Sequence, residues 1–542
     1  MVGAYAKSIS LAGAAIALLV TSVRSQAAVG EDNGGPKIAI IGGGIGGTSC
    51  SYFLRHLLGP AAEIDLFEQE SRMGGRLATL DFAGGRYETG GSIIHKRNRY
   101  MSDFADMFGL KKRDYSDSSS DDLLGLYNGK EYVFRESSWS LITILKLFWR
   151  YRLDVLRVDR SINSMLSDFD RIYENQKNGH AYTTVEKLLE SMSPDFVRNI
   201  QQSFGDYLKE KGFSTLFSNE LADAVVRVNY GQNLNVTAFV GTVALAGAQK
   251  GLWSVQGGNR LVTEKLLENS KAHLQQCHVE QISKISQSID QNDRKFQITC
   301  SSVDENSNKK TKVYGDYDLV ILAVPLIDGV TNLRFENFDV SKFNYGPYHR
   351  LLATFVHGKL NEEMFGSCQK KGFWIFSDPC PNEILVCSDD QLWFNSVGAL
   401  RSVLDTDSDR SSKVTGQSID RVWKVFSNDR LTTNQLNQLF TRIIKTEVVD
   451  WHAYPHYQDR VDEVQRDVRD AKFEVADGIY HINIIEWAAS AMEMSVIGAR
   501  NVALLAYDRL IKKDSKGLWK IERGLEVKKD RLTDASNEKV DL

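Results

Sequence analysis

Residues 37–50 read KIAIIGGGIGGTSC, and the fold is decided here. Ile38, Ala39, Ile40 and Ile41 form an unbroken apolar run, the composition of a strand buried on both faces of a parallel sheet. Gly42, Gly44 and Gly47 follow in G-x-G-x-x-G spacing, where a helix should begin. Gly42 permits the tight turn, Gly44 lets the backbone approach a pyrophosphate, and Gly47 allows the helix to pack closely on the strand. The first amides of that helix then face the phosphate. Glycine turns alone are common structural connections, so the neighbouring residues matter. A second apolar strand from Glu63 to Phe67 ends at Glu68, the acidic residue expected about 20 residues beyond the glycines to accept ribose hydroxyls. Immediately afterwards comes Arg72-Met73-Gly74-Gly75-Arg76, in which Gly75 opens a second turn and Arg72 and Arg76 are expected against the same pyrophosphate. A βαβ unit followed by this paired turn points to FAD more than to NAD.

With 542 residues the chain exceeds one ordinary core, and two intertwined domains are expected. A formal net charge of -4 with interspersed signs gives no footprint for nucleic acid, and no cysteine or histidine spacing suggests a metal site. At the N-terminus, Lys7, the apolar stretch from Ile9 to Val20 and the small residues Ser25 and Ala27 have the layout of a secretory signal occupying residues 1–27, too short in its apolar part for a comfortable membrane span. The mature chain would then enter the secretory pathway, where Asn235-Val236-Thr237 is a usable glycosylation sequon. Six cysteines do not fix their own pairing; Cys380 and Cys387 are closest in sequence and could close a small loop, whereas Cys50 is expected as a buried small hydrophobe. The terminal Lys539-Val540-Asp541-Leu542 departs from an ER-retrieval signal at its middle positions and reads better as part of a solvated, charged tail, 513–542.

The pattern of elements predicts an α/β fold of the two-dinucleotide-binding type, with an FAD domain made discontinuously from 36–109, 252–325 and 477–512 and an inserted α+β substrate domain from 110–251 and 326–476. Trp253 to Leu267 gives a Gly-Gly turn and then helix periodicity; His278 to Ile285 and Lys295 to Thr299 read as strands around a polar turn at Asn306 to Lys312. Asp316 to Pro325 contains an apolar strand stopped by proline. Gly478 to Glu486 reads as a strand leading to Ser490 and Glu493, whose spacing predicts a capping box and a helix from about Ala491 to Tyr507. That helix end, at Ser490 and Met492, would point its positive potential at the flavin pyrimidine. Asp114 to Asp122 and Asp405 to Ser418 are polar loops. Between Leu141 and Leu156, Thr143, Lys146, Arg150, Asp154 and Arg157 share one stripe, leaving Trp139, Leu141, Ile144, Leu145, Leu147, Phe148 and Tyr151 as a wide apolar face. Such a face suits domain core, the wall of a lipid-like pocket, or peripheral membrane contact through 139–156.

Longer motifs narrow the class. Tyr87-Glu88-Thr89-Gly90-Gly91-Ser92-Ile93-Ile94-His95 continues the Gly-Gly-Arg element as in flavin amine oxidase relatives. Arg227-Val228-Asn229-Tyr230-Gly231-Gln232, Ala246-Gly247-Ala248-Gln249 with Gly251-Leu252-Trp253-Ser254-Val255, Ala453-Tyr454-Pro455-His456-Tyr457, and the run from Glu486 to Ser495 together closely resemble the prenylcysteine oxidase (farnesylcysteine lyase) family of FAD-dependent thioether oxidases. The resemblance runs from Lys37 to about Tyr507. It implies a lysosomal or secretory oxidase that uses O2 to convert farnesyl- and geranylgeranylcysteine, released when prenylated proteins are degraded, to cysteine, prenyl aldehyde and hydrogen peroxide.

The chemistry is compatible with few protein groups. The allylic carbon beside sulfur can lose hydride to flavin N5 without a strong protein base, because sulfur and the alkene share the developing cation; water adds, and the hemithioacetal collapses to aldehyde and thiol. His95 could relay that proton or be a structural histidine. Tyr454, His456 and Tyr457 could line the site or form aromatic core. Arg227 could clamp the cysteine carboxylate or make a structural ion pair. Two rivals share the cofactor motifs: a flavin amine oxidase, and a non-catalytic lipid-binding flavoprotein.

Overall fold

The computed structural model describes residues 35–514 except 115–122, 138, 287–293, 304–307, 328, 340–342, 344–345, 367–379, 388–391, 406–419 and 458–470. The signal segment, most of the charged tail and most of both polar loops therefore lie outside the described residues.

The opening motif folds as its residue types dictate. Strand β1 (Lys37–Ile41) is almost fully buried, helix α1 (Ile45–Leu58) starts at Gly44, and β2 (Glu63–Glu68) returns parallel to β1. Gly42 has φ +109, a conformation that L side chains rarely adopt, and a Cβ on Gly47 would lie 1.9 Å from the Gly42 carbonyl oxygen. The sheet continues with β3 (His273–Gln276), β4 (Leu319–Leu322), β5 (Glu474–Ala476) and β6 (Ile479–His481) in the order β3-β2-β1-β4-β6-β5. All pairs are parallel except β5 with β6. Strand order reverses between β1 and β4, so a crevice opens at their carboxyl ends, the position where open α/β sheets bind ligands. Three distant parts of the chain thus build one nucleotide-type sheet.

A second, seven-stranded sheet runs in the order 440–455, 348–360, 421–427, 396–399, 383–386, 124–127, 132–135. Its longest strand, Phe440–Pro455, pairs antiparallel with Tyr348–Leu360 and delivers its end, Ala453 to Pro455, beside the nucleotide sheet's glycine turn. Helices fill much of the chain between the first sheets, among them α2 (Ser140–Tyr151) and α3 (Asp154–Phe169).

Several expectations need correction. The apolar run within Asp316 to Pro325 is the buried strand β4, as expected, but Lys309 to Lys312 belongs to a strand, Lys309–Tyr317, in another sheet and is not turn. Beyond β6 the chain turns into a short 3-10 helix, Ile482–Trp487. Cys380 does not bridge Cys387: Cys380 is disulfide-bonded, Cys387 is a buried thiol, and Cys277 is bonded to Cys300, tying the segment after β3 to the strand Arg294–Val303. Cys50 is a buried thiol in α1.

The final helix runs Met492–Asp514, and the predicted capping box is absent. Glu493 instead reaches across to the start of the helix Arg99–Met107, accepting from Tyr100 N at 2.8 Å, Met101 N at 3.1 Å and the Tyr173 hydroxyl at 2.8 Å. That helix has no side-chain cap of its own, so a carboxylate from another helix supplies both the acceptor and the negative charge its N-terminus favours. Burial nevertheless pushes Glu493 up to about 7. A carboxyl with a raised folded-state pKa holds a proton that the unfolded chain releases, so its stabilising contribution is complete below about pH 4.5 and is lost as pH rises through about 7. Replacing Glu493 with Gln should remove that slope, worth at most about 3 kcal/mol over the window. The check is thermal midpoints from pH 4.5 to 8, taken as variant minus wild type because His481, pushed down to about 4 by burial, tilts both curves the opposite way.

Candidate active site

At the mouth of the crevice the two glycine turns meet. Gly44 and Gly74 bridge each other, and Gly74 N donates to the Gly43 carbonyl at 2.9 Å. A Cβ on Gly44 would have only the Gly74 oxygen near it, at 3.8 Å, whereas one on Gly43 would strike Met73 and Glu68. Gly44 therefore borders open space, and with no side chain capping α1 the first-turn amides of that helix are left for an acceptor from outside the protein. A pyrophosphate fits this cradle. Glu68 lies beneath it, its two carboxylate oxygens accepting from Gly43 N at 2.7 Å and Glu70 N at 2.9 Å. Arg72 donates to the Gly75 carbonyl at 3.0 Å and so stiffens the second turn.

Arg76 behaves differently from the expectation that it faces the pyrophosphate. Its guanidinium grips both carboxylate oxygens of Glu486, one at 2.9 Å, and donates to the Ala453 carbonyl at 2.8 Å. Glu486 is fully buried and also accepts from Asn483 Nδ2 at 2.6 Å and the Tyr348 hydroxyl at 3.1 Å. Burial would lower the Arg76 pKa, but the charge and hydrogen bonds of Glu486 raise it overall. A buried carboxylate with no cation would be far more costly than an exposed one, which is why Arg76 is drawn here.

Three tyrosines stand beside this pair. The Tyr457 hydroxyl donates to the Glu486 carbonyl and accepts from Ser490 N, both at 2.9 Å; the Tyr230 hydroxyl donates to the Ser490 carbonyl at 3.2 Å. Tyr230 meets Tyr454 edge to face at 4.9 Å and Tyr457 at 5.7 Å. Gln232 ties the loop, donating to the Pro455 carbonyl and accepting from Tyr457 N. Burial pushes all three phenols up, so they are neutral donors at any working pH. Ser490 is thus held by its backbone, and Met492 packs within 3.6 Å of the Cβ position of Gly91.

The other predicted residues lie elsewhere in the network. His95 sits in a small sheet paired with Leu252; its Nδ1 accepts from Arg97 N at 3.2 Å, and burial, then Lys96, lower its pKa. His456 stacks with His349 at 5.8 Å, and His456 N donates to the Pro347 carbonyl. Arg227 is buried with its Nε on Asp223 Oδ2 at 2.6 Å, one helical turn away, an ion pair of the kind offered as the alternative to a carboxylate clamp. Glu486, Tyr230, Asn483 and Tyr348 carried no assignment from sequence. Glu486 had one usable signal, since a lone carboxylate in the apolar run Ile479 to Ala489 implies a buried cation.

A family profile described as Prenylcysteine lyase matches residues 134–517, and one for an NAD(P)-binding Rossmann-like domain matches 40–108. Prenylcysteine oxidase 1 of Mus musculus is 39% identical over 481 residues, covering 87% of this chain and 89% of that protein; the Homo sapiens protein is 38% identical over 476 residues with the same coverage. Prenylcysteine oxidase 1-like of Homo sapiens is 32% identical over 498 residues, with 90% and 94% covered. Among solved structures, a putative protoporphyrinogen oxidase from Exiguobacterium sp. 255-15 superposes with TM-score 0.53 at 14% identity, and a putrescine oxidase redesigned at its cofactor site with 0.52 at 13%; each covers 88% of this chain and 99% of its own, a likeness of fold alone.

Two of the motif glycines separate cleanly by mutation. Gly44→Val places its methyls in open space and should leave a folded protein that has lost its flavin, read as absorbance near the visible flavin bands per folded chain. Gly47→Val collides with the Gly42 carbonyl and should lower soluble yield and thermal midpoint as well. A Gly44→Val protein with full flavin content would contradict the cradle.

Proposed function

Because the chain belongs to the prenylcysteine lyase family, we propose that it is an FAD-dependent oxidase that cleaves the thioether of free farnesyl- and geranylgeranylcysteine during degradation of prenylated proteins. The observation that carries this reading is that the family match extends over 134–517, through the substrate sheet and helices, and is not confined to the nucleotide motif. One thioether, one water and one O2 give cysteine, prenyl aldehyde and H2O2, with the allylic carbon oxidised and dioxygen reduced by two electrons.

The cofactor is a flavin; we infer FAD from the glycine cradle with Glu68 and Arg72. When bound it supplies the two-electron acceptor, and ultimately the route to oxygen. The chain's own part is to bind, orient and exclude water. Gly44 and Gly75 leave the phosphates room and Gly42 and Gly47 set the turn and helix behind them, while Ser490 and Met492 bring the start of the final helix to the crevice. Tyr230 and Tyr457 brace the backbone of Glu486 and Ser490 beside the crevice, and Tyr454 packs on Tyr230. No strong base is required there, because the developing cation is stabilised within the substrate.

Residence in the secretory pathway, with the lysosome as destination, is part of the same proposal. It is supported by the layout of residues 1–27, by the Cys277–Cys300 disulfide, which suits an oxidising compartment, and by exposure of Asn235 at the sequon whose Thr237 caps the helix Ala238–Ala246. N-terminal sequencing of secreted-pathway material should begin near Ala28, and glycosidase should increase its mobility, with Asn235→Gln abolishing that shift. A mature protein retaining Met1 to Val20 would oppose the cleaved-signal reading.

Substrate identity is tested by anaerobic titration: farnesylcysteine should bleach the flavin, and admitting air should release thiol, aldehyde and peroxide with no ammonia. Recognition energy placed in the isoprenoid, at about 0.8 kcal/mol per buried CH2, predicts that kcat/KM falls from geranylgeranyl or farnesyl to dimethylallyl cysteine. Equal efficiency across that series would refute a long apolar channel, and ammonia release would favour the amine oxidase reading.

A further inference from the structure

Helix α2 is packed inside out. Its polar stripe faces the protein: Thr143 Oγ1 accepts from Ser137 N at 2.8 Å, Lys146 Nζ donates to the Arg135 carbonyl at 3.2 Å, and Arg150 grips both oxygens of Glu220 at 2.6 Å. Its apolar stripe faces outward. Leu141 is 68% exposed, Trp149 79%, and Ile144, Leu145 and Phe148 are exposed beside them, with Trp139 just before the helix and Leu153 and Leu156 just after it. A soluble helix places these groups the other way round, since exposed large apolar side chains are normally scattered and not contiguous. Polar groups that could have faced water are instead used as anchors to the body of the protein.

We propose that α2 and the first turn of α3 form a docking surface that seats in the interfacial layer of an anionic phospholipid bilayer. Charge complementarity favours this occupant. Of the cations from Trp139 to Arg160, Lys146 and Arg150 are turned inward and Arg157 pairs with Asp154, which leaves Arg152 and Arg160 exposed at the edge of the patch against one exposed acid, Asp159. Arg152 is exposed and lies over the Trp149 ring at 5.9 Å, an aromatic and a cation together at the edge of the patch, the arrangement suited to the headgroup level. A second copy of the chain would bring Arg152 and Arg160 against the same cations of its partner, which opposes pairing. The helix lies on the bilayer and does not cross it: among the described residues no helix is long and apolar enough to span. On the prenylcysteine reading above, the docked enzyme takes its lipid-tailed substrate from the bilayer and not from water.

Flotation of the glycosylated, flavin-loaded protein with phosphatidylcholine vesicles containing phosphatidylglycerol tests the surface with no prenylcysteine present. Wild type should float, and Leu145→Glu/Trp149→Glu, which replaces only exposed groups, should keep its flavin and thermal midpoint while losing about tenfold or more in vesicle affinity. Brominated lipid should quench wild-type tryptophan fluorescence, and Trp149→Phe should remove part of that quenching; this arm stands even if the double variant does not fold. Absence of wild-type flotation and quenching, or equal affinity of a folded double variant, overturns the proposal. A wild-type dimer that fails to float and becomes monomeric in the double variant also overturns it, assigning the face to a second copy. Flotation without oxidation of farnesylcysteine would refute the substrate reading and leave the docking surface standing, so the two fail separately.

Discussion

The fold closes around one buried ion pair. Arg76, from the second glycine turn, and Glu486, from the short 3-10 helix before the final helix, are separated by 410 residues and joined by two hydrogen bonds in a place where neither charge can be solvated fully. Once formed, the pair recruits the Ala453 carbonyl from the end of the long strand of the seven-stranded sheet, Tyr348 from its partner strand and Asn483 from the same helix. Segments from both sheets are thereby fixed at one point. Removing Arg76 would leave the fully buried Glu486 carboxylate without its cation, a cost of about 3–5 kcal/mol, so the second glycine turn is held firmly against the end of the long strand.

Much of the nucleotide half was legible because it obeys local rules. An apolar run long enough for a buried strand, a turn needing φ +109 at Gly42, and a helix approaching within reach of the Gly42 carbonyl only if residue 47 lacks a Cβ are constraints written within one short stretch of chain. The tyrosines were visible as a motif but not as a cluster, since Tyr230 and Tyr454 meet only through tertiary packing. Glu493 looked like a local cap because its spacing from Ser490 is right; a non-local partner with three donors outcompeted the local one. Disulfide pairing was illegible for a different reason: Cys277 and Cys300 meet at the open end of one antiparallel hairpin, and that bond depends on the strand register, which cysteine spacing alone does not set. With α2, periodicity correctly divided the stripes but could not tell which one faced inward.

The order of strands in the nucleotide sheet carries a consequence for how the molecule is made. β1 and β2 are synthesised first, yet β1's other neighbour β4 comes hundreds of residues later, and β6 and the final helix that packs on α1 later still. During vectorial synthesis the glycine turns therefore exist for most of elongation without the carboxylate that neutralises Arg76 and without the helix that closes the crevice. Such long-range pairings are slow, and each waits for chain that has not yet emerged. A chain ending just before Glu486 would carry both glycine turns and most of both sheets, yet would lack the carboxylate that pairs with Arg76 and the helix that packs on α1.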